Sequence, residues 1–95
     1  MIIWTEKSPY VYSGVMTVTE GTELTINLMA LSGAGWELKA AVGSKTLYKQ
    51  FLADYLPDAK KLVIKEILDS DILEGFEDAK AVLESNPEGT MTYGL

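Results

Sequence analysis

The chain has 95 residues, 47% of them hydrophobic and 23% charged, with a net charge of −6; this fits one globular domain and excludes two domains, wholesale disorder and a fibrous repeat. All eight basic residues are lysines, and Arg, His and Cys do not occur. Disulfides, thiolate and Ser–His–Asp chemistry, zinc, haem and iron–sulfur sites therefore drop out, as does bidentate guanidinium recognition of phosphate.

The start, Met1 to Trp4, is an apolar run of four with no basic leader, and Leu28 to Leu31 is equally short. A secretion signal or a spanning helix needs far longer runs, so the expectation is a cytoplasmic protein with no membrane partner. Ile2 to Thr5 reads as an edge strand ending at Ser8-Pro9.

From Tyr10 to Val42 the hydrophobic period is two. Tyr12, Met16 and Val18 share one face, with Val11, Ser13, Val15 and Thr17 on the other. After Thr19-Glu20-Gly21-Thr22, where Gly21 can take a positive φ, Leu24, Ile26, Leu28 and Ala30 alternate with Glu23, Thr25 and Asn27. This predicts a hairpin. Ser32-Gly33-Ala34-Gly35 breaks the pattern, and Trp36 to Val42 alternates as a third strand, although its Glu, Leu, Lys and Ala also suit a helix.

Beyond Gly43 the pattern turns helical. Ser44 reads as an N-cap, and Leu47, Tyr48, Phe51, Leu52, Tyr55 and Leu56 recur at helical spacing up to Pro57. A second helix is expected over Asp58 to Leu68, with the β-branched centre Lys61 to Ile67 open to a strand assignment. A third is expected from about Asp71 to Ser85, burying Ile72, Phe76, Ala79 and Leu83, with Gly75 weakening its first turn. The tail from Glu88 reads as loose, or as a short strand around Met91 to Tyr93. The predicted fold is thus a single α+β domain over 1–95: an antiparallel meander of three to four strands within 1–43, two or three helices within 44–85, and a tail over 86–95.

Three motifs resolve into ordinary structure. The third glycine of a dinucleotide fingerprint beginning at Gly33 would fall at Leu38, and in Gly43-Ser44-Lys45-Thr46 the lysine does not directly follow the glycine as a P-loop requires. A calcium loop opened by Asp69 and Asp71 would need Gly at Glu74 and Glu at Lys80. No cofactor and no metal are expected. Fourteen carboxylates make some close pair inevitable, but nothing marks a sugar cleft. Lys39, Lys45, Lys49, Lys60, Lys61, Lys65 and Lys80 sit among polar neighbours as solvated lysines do. The expectation is no enzyme.

Charge is distributed unevenly. Lys7 against Glu6, Glu20, Glu23 and Glu37 leaves −3 in residues 1–38, and six lysines against Asp54 and Asp58 leave +4 in 39–65. Residues 66–95 hold eight carboxylates against Lys80 alone, for −7. Asp71, Glu74, Glu77, Asp78 and Glu84 fall at helical spacing opposite the apolar stripe and read as a protein-binding acidic ridge, which attracts basic surfaces and repels nucleic acid. Tyr48 and Tyr55, with Tyr10, form a candidate aromatic interface. The expected function is a small acidic protein-binding module, an inhibitor or immunity-type antagonist docking on the basic surface of a nucleic-acid-acting protein without touching nucleic acid itself. In composition it is similar to small acidic inhibitors of phages and other mobile elements, a likeness of type with no motif behind it. The alternative is an assembly subunit, as of a phage particle, that self-associates through a strand edge and an aromatic surface, with Tyr10 to Val18 as that edge.

Overall fold

A computed structural model describes residues 1–86 and 89–93, with 91–93 described as backbone. Six strands, β1 (Ile3–Ser8), β2 (Val11–Thr19), β3 (Thr22–Ala30), β4 (Gly35–Val42), β5 (Lys45–Leu52) and β6 (Thr90–Tyr93), form one sheet ordered β5-β4-β3-β2-β1-β6. β1 to β5 are an antiparallel meander, as short connections favour, and β6 joins β1 in parallel. Helices α1 (Leu56–Asp69) and α2 (Glu77–Ser85) pack on one face, α1 against β4 and β5 and α2 against β2.

The alternation of β2 to β4 places the core as expected. Met16, Leu24, Ile26, Leu28, Trp36, Leu38, Ala40 and Val42 are buried on the helix side, joined by Ile2 and Trp4. Trp36 resolves the ambiguous segment as a strand; its indole Nε1 donates to the Ala53 carbonyl at 2.9 Å, and its ring lies 6.3 Å from that of Tyr12. From the helices come Ala59, Val63, Ile64, Ile67, Ala79 and Leu83, with Ile72 and Leu73 in the turn between them. Burying each large aliphatic side chain contributes about 1.5–3 kcal/mol, so this layer dominates stability.

Several expectations need correction. Residues 45–52 form strand β5, where a helix from Ser44 to Leu56 was expected. Gly43, at φ 60, and Ser44 make a two-residue turn, and the register runs unbroken from Val42↔Lys45 to Gly35↔Leu52. Helix formation starts at Leu56, with Pro57 in its first turn, and takes in the Lys61–Ile67 centre. Asp71 opens a turn instead of a helix: Glu74 donates its N–H to Asp71 and Phe76 to Leu73, and Gly75 at φ 89 postpones α2 to Glu77. β1 is no edge, because β6 flanks it; Glu88, Gly94 and Leu95 of the tail lie outside the described residues. Nor is Tyr10 to Val18 an edge, since β2 lies between β1 and β3.

Lys60 also departs from the solvated role. It is 8% exposed, and its Nζ lies 5.5 Å from the centre of the buried Trp4 ring, a cation–π distance.

Candidate functional site

The five acidic candidates do not form one helical ridge. Asp71 and Glu74 belong to the turn before α2, and Lys45 at the start of β5 reaches both: its Nζ donates to the Asp71 carbonyl at 3.1 Å and lies 3.8 Å from the Glu74 carboxylate. Glu77 and Asp78 occupy the first turn of α2, where the helix dipole favours negative charge. Glu84, seven residues after Glu77, returns to its face of the helix.

Lysines neutralise part of this side. Lys80 lies 3.4 Å from Glu77, Lys65 3.5 Å from Asp69 and Lys49 4.0 Å from Glu66. Each exposed pair contributes about 0–1 kcal/mol, so these contacts shape the surface potential more than they hold the fold. Among the described residues the carboxylates of Asp71, Asp78 and Glu84 have no lysine ammonium within 4.0 Å. The lysine-rich middle of the chain thus folds over the acidic third, an arrangement invisible to counting along the chain.

The three tyrosines do not meet. Tyr10 is the second residue of the Pro9–Tyr10 turn between β1 and β2, at φ 71 and 69% exposed; Tyr55 caps α1 and is 70% exposed. Tyr10 is separated from β5 by three strand spacings, about 14 Å. Tyr48 points to the sheet face opposite the helices, on β5. Its hydroxyl donates to Glu37 Oε2 at 3.0 Å and accepts from Gln50 Nε2 at 2.9 Å, while Lys39 lies 6.0 Å from the ring centre and 3.6 Å from Glu37. The hydroxyl is held by two partners, yet the side chain stays 55% exposed.

Sequence reasoning missed this cluster, since Glu37, Lys39 and Gln50 carry no motif. A signal for β5 did exist: Gly-Ser is a favoured two-residue hairpin link, and Lys45 to Leu52 can alternate after it.

Two surface hollows adjoin these groups. A groove of about 590 Å³ between α1 and α2 is lined by apolar Ile64, Leu68 and Leu83, with Lys61, Lys65 and Asp69 on the α1 side and Glu84 on the α2 side. A smaller one of about 230 Å³ lies on the open sheet face beside Thr25, Asn27, Lys39 and Thr46. Among the described residues no helix is long and apolar enough to cross a membrane. Compared with protein-family models, with curated proteins and with solved structures, the chain matches none.

Proposed function

We propose that this chain is a protein-binding module with no reaction of its own, whose acidic side docks on a basic surface of a nucleic-acid-acting protein and antagonises it. One observation carries the reading: after the nearby lysines are engaged by Glu66, Asp69, Glu74 and Glu77, Asp71, Asp78 and Glu84 still project exposed carboxylates. An exposed negative patch steers a positive partner and fixes its register more than it adds affinity. The same side repels phosphate, so the partner's protein surface is the target.

The test is capture of partners from the native host by the tagged chain, at low and high salt. Reversing Asp71, Asp78 and Glu84 to Lys together should weaken capture about tenfold or more and flatten its salt dependence. Reversing Glu74 and Glu77, which are already paired, should weaken it less. Unchanged capture by the triple variant overturns the reading.

A further inference from the structure

We infer that β5 is a self-complementary edge through which two copies of this chain pair antiparallel about Tyr48, joining their sheets into one. The inference is separate from the acidic side, which lies on the helix layer.

β5 ends the sheet with eight regular residues, without bulge or proline. Its inner main-chain groups serve β4. Ala53, continuing the strand, donates its N–H to Ala34 at 2.9 Å, so odd-numbered residues turn their amides toward β4. By alternation Thr46, Tyr48, Gln50 and Leu52 turn theirs outward. Among the described residues no backbone group outside β4 bonds to β5. Edges are commonly blunted by lysines. Here Lys45 and Lys49 lie on the helix side of β5, held by Glu74 and Glu66, and the open-face side carries Tyr48 and the 76% exposed Leu52.

Charge and register identify the occupant as a second copy. Overall the chain carries −6, so most of its surface repels another copy, but around β5 each lysine has its carboxylate: Lys39–Glu37, Lys45–Glu74 and Lys49–Glu66. In a two-fold antiparallel pair, facing residues lie on the same sheet face, so the axis must pass through a residue position. Centred on Lys49 the pair opposes two lysines, and centred on Leu47 it opposes Lys45 to Lys49. Centred on Tyr48 it opposes Tyr48 to itself, Thr46 to Gln50, Leu47 to Lys49 and Lys45 to Phe51. This register uses the whole strand, opposes no like charges, and exchanges about six main-chain hydrogen bonds from Thr46, Tyr48 and Gln50 of the two copies.

The absence of cysteine makes the register directly readable. In the full chain under mild oxidation, Tyr48→Cys should cross-link to itself at least about tenfold faster than Ser13→Cys, which lies on the open face of the interior strand β2. Thr46→Cys and Gln50→Cys should cross-link with each other when mixed, faster than either does alone. Light scattering of the unmodified chain should show a mass rising with concentration to about twice 10.4 kDa. Tyr48→Lys, placing two ammoniums across the axis at an exposed site, should keep the circular dichroism of the fold and stay monomeric. A mass that stays monomeric at all concentrations, or Tyr48→Cys no faster than Ser13→Cys, overturns the inference.

Discussion

Trp4 of β1 faces Gly14 of β2, and one step along the same strands Ile3 faces Val15. The first pair is buried, Trp4 completely, whereas Ile3 is 51% and Val15 38% exposed. Backbone geometry is shared by the two pairs. What differs is the helix layer, which closes over one face and leaves the other open, so the same strand contributes core energy at every second residue. The contrast also explains Gly14: a Cβ there would come within 3.1 Å of both Ile2 and the Trp4 ring. The glycine is the space in which the indole lies.

The largest effect expected from this contrast is Trp4→Ala, at about 3–5 kcal/mol of lost stability in chemical denaturation, because the cavity lies under the Lys60 ammonium and between the sheet and the helices. Ile3→Ala on the same strand should cost under about 1 kcal/mol, since most of its surface already meets water. Equal losses would mean that the open face is covered in solution. Next comes Gly14→Val, expected to cost about 1–3 kcal/mol by pushing the Trp4 ring from its place. Fluorescence of Trp4 should shift toward that of an exposed indole; an unchanged spectrum and stability would show that the ring has slack.

The same contrast accounts for what the sequence could and could not display. Leu24, Ile26 and Leu28 alternate so strictly with polar residues that both strand and face were legible, and Pro57 marked the start of α1, while its β-branched centre from Lys61 to Ile67 left helix and strand both open. Between Lys45 and Leu52 the signal is degenerate. A step of four residues returns to the same side of a helix and also of a strand, so Leu47/Phe51 and Tyr48/Leu52 satisfy both periods. Pairing with β4 decides the matter, and pairing is not local. The acidic turn shows the same limit: Asp71 and Glu74 were visible as acidic residues, but Lys45, far back in the chain, is what reaches the main-chain carbonyl of the one and the carboxylate of the other. β6 joins β1 across nearly the whole chain, with no local pattern announcing its parallel pairing.

A smaller and opposite effect is expected at Tyr10. Its φ of 71 lies where a bulky side chain is strained, in a Pro-led turn whose third position favours Gly or Asn. Tyr10→Gly should therefore stabilise the fold by about 0.5–1 kcal/mol, read as a higher denaturation midpoint. If the ring serves a partner, the stabilised variant should also bind more weakly. A loss of stability would instead show that the phenol packs on its neighbours strongly enough to offset the strain.

The smallest effect is the sharpest test of the two faces. Val15→Thr keeps the shape of the side chain and its β-branching, exchanging a methyl for a hydroxyl on the open face between Ile3 and Thr25. Water already reaches that position, so the stability should stay within about 0.5 kcal/mol. The same exchange at Val42, buried on the helix side, should cost about 1–3 kcal/mol, because there the hydroxyl gives up water for an apolar layer. Measured side by side at micromolar and at high protein concentration, the pair also separates the monomer from an assembly. If Val15→Thr becomes costly only as the concentration rises, a second molecule covers the open face itself, and the two-layer fold is completed by contact between copies.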